Sequence, residues 1–200
     1  LQDVALDELL RPEALRQVET SLQHTAPDAL ARSADELALL FAELGDLSSS
    51  EVALRAAADP APWIARLTGE GRLVELPIPS ARGAEARWVA AEYRAEYAAA
   101  FGLPGAQPTE IAPEEARRRI LQRHLAASGP VTRQAILARY AFPGEWLDEE
   151  LERLVEQRRL LHGRFTPREA AAPPPQRAAP EFVERRVFEQ IHRRTIHILR

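Results

Sequence analysis

The chain has 200 residues, 46% of them hydrophobic and 6% aromatic, and a net charge of −4. That is apolar mass for one or two small domains, and its alanine–leucine weighting favours helix over sheet. With no Cys and no Lys, disulfides, thiolate metal sites and the phosphate-gripping lysine of a P-loop are excluded.

Residues 1–32 read as an N-terminal helical lead-in (Leu6, Leu9, Leu10, then Leu15, Val18, Leu22) broken at Pro12 and Pro27. Its packing partners are expected upstream. The chain starts without Met and ends inside a helical pattern, so it reads as a piece of a longer polypeptide. Residues 33–102 read as a first winged helix. Ser33 to Glu36 is a capping box, followed by Leu37, Leu40, Phe41 and Leu44 on one face and a stop at Gly45;. A second capping box, Ser48 to Glu51, opens a short helix, and Asp59-Pro60 opens a third carrying Trp63, Ile64 and Leu67. Arg72–Ile78 is a predicted strand, Pro79–Ala84 a turn, and Ala86–Ala90 the returning strand. Tyr93, Tyr97 and Phe101 then line a helix ended by Gly102.

Residues 103–112, with Pro104, Gly105, Gln107, Pro108 and Thr109, read as a linker;. Residues 113–168 read as a second winged helix. Pro113 and two glutamates open its first helix, Ala116, Ile120, Leu121 and Leu125 share one face, and Gly129-Pro130 ends it;. Thr132 caps a short helix (Ala135, Ile136, Tyr140). The third carries Leu147, Leu151, Leu154 and Val155, with acids first and Arg158-Arg159 last;. Leu161 and Phe165 alternate with polar neighbours as a half-buried strand does. Residues 169–180 form a Pro/Ala-rich insertion or linker. Residues 181–200 read as a C-terminal amphipathic helix with Phe182/Val183, Val187, Ile191 and Thr195 on one stripe.

The second stretch repeats the first. An offset of 84 carries Leu37 to Leu121, Phe41 to Leu125, Gly45 to Gly129 and Ser48 to Thr132. After three inserted residues, Arg72-Leu73-Val74 meets Arg159-Leu160-Leu161;. The expected fold is mainly α with small β-hairpins, in tandem winged helix-turn-helix domains.

Charge divides unevenly. Residues 1–112 hold 9 Arg against 18 acids, and residues 113–200 hold 17 Arg against 12 acids. The second half is therefore the natural face for a polyanion. The candidate DNA-binding residues are Arg158, Arg159 and Arg164 near the second wing, Arg133, Arg185, Arg186, Arg193 and Arg194, and Arg72 and Arg82 in the first module. Arg66 and Arg87 share that reading; for Arg117-Arg118-Arg119 the blander alternative is a solvated face. The third helix of the second module, Trp146-Leu147-Asp148-Glu149-Glu150-Leu151-Glu152, would carry carboxylates towards phosphates, which argues against sequence readout there. Trp63, Trp88 and Trp146 read as packing residues. No catalytic residue and no metal site is expected, the five histidines being scattered;. With no signal peptide or membrane-length apolar run, the expected location is cytoplasmic, with no membrane partner.

Four segments carry a resemblance: WVAAEYRAEYAAAFG (88–102), ASGPVTRQAILARY (127–140), RRLLHGRFTP (158–167) and EFVERRVFEQIHRRT (181–195). Together they resemble the C-terminal region of the large helicase-related (Lhr) bacterial helicases. The likeness covers most of the chain, fading before about residue 12, and is confined to the winged-helix part. It departs at Val183, where the family commonly has cysteine, and at prolines 173–175. The resemblance implies a parent superfamily 2 enzyme that translocates 3′ to 5′ on single-stranded DNA and serves repair. Its motor would hold ATP and Mg; this segment would hold no cofactor. It further implies partners: DNA, single-stranded or duplex without sequence preference, the motor and barrel domains of the same polypeptide, and other copies of the chain. The expected function is an accessory DNA-binding and scaffolding module. The alternatives are part of a winged-helix DNA glycosylase and a transcription regulator, the latter needing a basic third helix.

Overall fold

The computed structural model describes residues 10–104, 110–166 and 179–199. In order they form α1 (Pro12–Leu22), α2 (Ala34–Leu44), β1 (Asp46–Leu47), α3 (Ser49–Ala53), α4 (Ala61–Gly69), β2 (Leu73–Ser80), β3 (Gly83–Ala90), a 3-10 turn (Ala91–Tyr93) and α5 (Arg94–Phe101). There follow α6 (Pro113–Ala127), β4 (Val131–Thr132), α7 (Arg133–Arg139), α8 (Gly144–Glu156), β5 (Leu160–Gly163), β6 (Glu181–Glu184) and α9 (Arg185–Ile198). The described residues are mainly helical with two small antiparallel sheets. Its contacts divide it into two compact units: residues 23–127 with 138–141, and the rest.

In the α2–α6 unit Ser48 opens the expected capping box, whereas Ser33 caps α2 without closing one, the Glu36 carboxylate accepting the Arg32 amide at 2.7 Å instead. The Glu36 amide donates to Ser33 Oγ at 3.2 Å. Ser48 and Glu51 form a reciprocal box, Glu51 N–H to Ser48 Oγ at 3.3 Å and Ser48 N–H to Glu51 Oε2 at 2.8 Å;. Leu37, Leu40, Phe41 and Leu44 are buried against Leu47, Val52, Leu67 and Leu73, with Trp63 and Trp88 packed on them. Gly45 turns the chain from α2 into β1 at φ +88°, and a Cβ there would lie 2.8 Å from the Tyr97 hydroxyl. Only glycine meets both demands. The hairpin is fully paired from Leu73↔Ala90 to Ser80↔Gly83, and β1 joins it through Leu47↔Trp88, giving the order β1-β3-β2. Helix α6, expected to open the second module, packs on α5 and α2 in this unit.

In the α8–α9 unit the sheet order is β4-β6-β5, with Val131↔Phe182, His162↔Phe182 and Leu161↔Val183 in register. Residues 181–184 are thus a strand, and the last helix begins only at Arg185. A buried Val183 beside Val187, Ile191 and Thr195 fits a helical stripe, but Val183 reaches that core from the strand end. The lead-in also differs from expectation. Leu10, Ala14, Leu15 and Val18 bury against Phe165, Val183, Val187 and Ile191, each full aliphatic burial worth roughly 1.5–3 kcal/mol. Thr195 Oγ1 accepts the Arg11 amide at 3.1 Å. The partner of α1 is the far end of the same chain. Most of the Pro/Ala-rich insertion (residues 169–178), together with residues 167–168 of the expected second winged helix, lies outside the described residues.

Candidate nucleic-acid interface

Burial separates the arginines into two sets. The first is structural and lies in the α2–α6 unit around Asp46, a carboxylate with 0% exposure. Its Oδ1 accepts the Tyr97 hydroxyl at 2.8 Å and the Tyr140 hydroxyl at 2.5 Å. Its Oδ2 accepts Arg87 at 2.8 Å and Arg139 at 2.9 Å. Arg139 also donates to the Asp46 carbonyl at 2.6 Å and to Glu51 at 2.8 Å, and Arg87 reaches the Arg139 carbonyl at 3.0 Å. Burial would lift the Asp46 pKa, but Arg139, Arg87 and the Tyr140 hydroxyl outweigh it and hold the carboxyl below its ordinary value;. Burial and the neighbouring Asp46 charge push both tyrosines up. His124 stands edge-on to Tyr140 at 5.5 Å, and burial, helped by Arg139, depresses it to about 4. A second ion pair, Arg123 to Glu96 at 2.9 Å, sits with Arg123 over the Tyr93 ring. Arg87, weighed in the sequence as a phosphate contact, is therefore buried in a salt-bridge network and out of reach of any phosphate.

Several other arginines are held by neighbours. Arg72 pairs with Asp35 at 2.6 Å and Glu70 at 3.3 Å, and Arg66 with Glu70 at 2.7 Å. Arg117 donates to the Ala100 carbonyl, and Arg118 and Arg119 both pair with Glu115. Arg133 forks onto Asp148, which keeps it at the acidic helix. Arg82 stands exposed at the β2–β3 turn.

The second set is brought together by the fold of the α8–α9 unit. Arg158 and Arg159 form the turn from α8 to β5, and both are exposed. The Arg185 amide donates to the Arg159 carbonyl and its Nε to the Arg158 carbonyl, each at 2.9 Å. Arg185 thus joins the adjacent pair Arg158 and Arg159 at one corner from 27 residues along the chain. Arg186, beside them, is 78% exposed at its side chain and touches Glu184 at 3.2 Å. Arg164, half-buried, follows β5. Arg193 and Arg194 continue along α9, Arg194 on Gln17 of α1. Helix α8 shows the opposite sign to solvent, with Glu145, Glu149, Glu152 and Glu156 exposed at i, i+4, i+7, i+11;.

Sequence reasoning missed Asp46, Arg139, Tyr97 and Tyr140 as one network. The available signal was slight: an acid directly after a helix-ending glycine, with partners 41 to 94 residues away.

Short helices α2, α3 and α4 leading into the paired strands β2 and β3 define a winged-helix protein. The chain belongs to the large helicase-related family: the family profile described as "Large helicase-related protein, winged-helix domain" matches residues 8–118. It is also similar to "Lhr helicase/ probable uracil glycosylase" of Mycolicibacterium smegmatis, 28% identical over 168 residues. That match covers 81% of this chain and 11% of the relative's length.

Proposed function

We propose that this chain is a nucleic-acid-binding and scaffolding module of an Lhr-type helicase polypeptide, built from two winged helices in tandem with the second completed by β6. Equal strand order and matching register in the two sheets support the tandem reading. The observation that carries the binding role is the arginine corner of Arg158, Arg159, Arg185 and Arg186, facing solvent while α8 presents glutamates. Contact is to the phosphate backbone and independent of sequence, because guanidinium groups there gain counterion release and no base edge is read. The module docks the motor and barrel domains of its polypeptide, takes part in self-association, and serves DNA repair in the cytoplasm. ATP and Mg belong to the motor.

The buried carboxylates among the described residues, Asp46, Glu150 and Glu96, are each ion-paired, Asp46 to Arg87 and Arg139, Glu150 to Arg153 and Glu96 to Arg123, which favours a non-catalytic segment over a base-excising one. The test is a titration of labelled single-stranded and duplex DNA across ionic strength. The expected slope of log K against log salt corresponds to about three or four released counterions. No binding to either DNA at low salt leaves only the protein-docking role. Release of uracil by the chain alone overturns the non-catalytic reading.

A further inference from the structure

We propose that the exposed patch around His162 and Phe182 on the β4-β6-β5 sheet is a stacking platform for unpaired nucleotides. Its aromatic floor is the His162–Phe182 pair, and its phosphate rim is Arg158, Arg159, Arg185 and Arg164. This rests on the nucleic-acid reading above and adds which form of the polymer is gripped, and where.

The two rings face each other directly across β5 and β6, with centroids 4.6 Å apart and planes 22° from parallel. His162 is exposed and Phe182 half-buried. Phe182 pairs on its other side with Val131, itself half-buried. A row of three side chains therefore crosses three adjacent strands, a span of about 10 Å, with His162 its exposed member and Phe182 and Val131 half-buried. The opposite face of the sheet is closed, since Leu161 and Val183 face the cluster made with α1 and α9.

Charge flanks His162 along the strand direction, before and after β5. Arg158, Arg159 and Arg185 meet at the start of β5. Arg164 comes two residues after His162 and so falls on the same side of the extended chain. From Arg159 to Arg164 the backbone runs about 16 Å. The acids nearby are occupied. Glu184 contacts Arg186 at 3.2 Å, and Glu181 accepts the Phe165 and Thr166 amides at 2.8 and 2.9 Å.

A ring exposed on a sheet can stack only on a base whose face is free, and in a duplex neighbouring pairs cover those faces. Sheet-borne aromatics flanked by cations are accordingly how single strands are held without sequence preference. The acidic α8 stripe disfavours the alternative, insertion of that helix into a duplex groove.

The test uses the full 200-residue chain and three probes at low salt: a dodecamer of dT, a sugar-phosphate dodecamer lacking bases, and a duplex. The dT strand is expected to bind about tenfold tighter than the abasic strand of equal charge. His162→Ala removes that margin, leaves abasic binding and the salt slope unchanged, and His162→Trp widens the margin. Equal affinity of the wild-type chain for dT and abasic strands overturns the platform, as does a margin that survives His162→Ala. No binding of any probe overturns the nucleic-acid reading itself, and the platform with it.

Discussion

Arg158 stands at φ +58° in the turn from α8 to β5, the place that Gly71 fills at φ +69° in the turn from α4 to β2. The backbone bonds around them correspond. Gly71 donates to Thr68 and Arg72 to Leu67; Arg158 donates to Val155 and Arg159 to Leu154. A left-handed turn accommodates glycine freely and costs an arginine about 1 kcal/mol. Strain of this kind concentrates where a side chain is needed. Arg158→Gly is expected to raise folding stability by up to about 1 kcal/mol, part of the gain being offset by the looser unfolded chain. It should also weaken DNA binding and reduce the salt slope by about one. Urea unfolding and anisotropy titration on the same preparation check both halves. Loss of stability together with unchanged binding removes Arg158 from the interface.

Asp46 makes a separate prediction, about folding alone. It is the shared acceptor for two guanidinium groups and two phenols. Asp46→Asn keeps the volume but leaves Arg87 buried beside a neutral group, and breaking a buried pair by removing one member costs about 3–5 kcal/mol. Set against a total stability of about 5–15 kcal/mol, that loss is large. The expected result is a lower urea midpoint with little change in m-value. A midpoint within error of wild type would mean that the network contributes nothing net.

The same network sets the acid limb of stability. His124 is depressed to about 4 from an ordinary 6.5. Between those values the unfolded chain binds a proton that the folded chain does not, so stability rises with pH and is lost as pH falls from about 6.5 towards 4. The loss amounts to about 3 kcal/mol by its lower end. Asp46, held below its ordinary value of 3.8, keeps its contribution until pH falls further. Urea midpoints at pH 7.5 and pH 5 should differ, and His124→Phe should narrow the difference. Equal wild-type midpoints would place His124 in a solvated setting instead.

Features set by neighbours in sequence are legible in the sequence itself. The capping box at Ser48, the buried stripe of Leu37, Leu40, Phe41 and Leu44, and the hairpin around Arg82 each depend on residues a few positions apart. What depends on distant partners is not. Residues 181–184 share a helical period with 187, 191 and 195, and only pairing with β4 and β5 makes them a strand. The lead-in helix carries an apolar face that says nothing of α9 as its cover. For the interface, composition pointed to the basic half, but whether an arginine is offered or occupied is decided in space: Arg158 and Arg133 look alike in sequence and differ in what holds them.

That difference yields the last prediction. Asp148 takes both arms of the Arg133 guanidinium, and the Gly144 carbonyl stands at 3.4 Å from it. Two donors locked on one carboxylate leave little to offer a phosphate. Arg133→Ala should therefore change DNA affinity less than about twofold, where Arg185→Ala, at the exposed corner, should lower it several-fold and reduce the salt slope by about one. Asp148→Asn releases the guanidinium and removes an acid from α8, so affinity should rise about two- to threefold with a slope steeper by about one. Glu149→Gln separates the two causes. It removes an exposed acid that holds no arginine fixed, so it should raise affinity through weaker repulsion with the slope unchanged. If Asp148→Asn behaves as Glu149→Gln does, Arg133 gains no phosphate on release, and contact is confined to the corner at Arg158, Arg159 and Arg185.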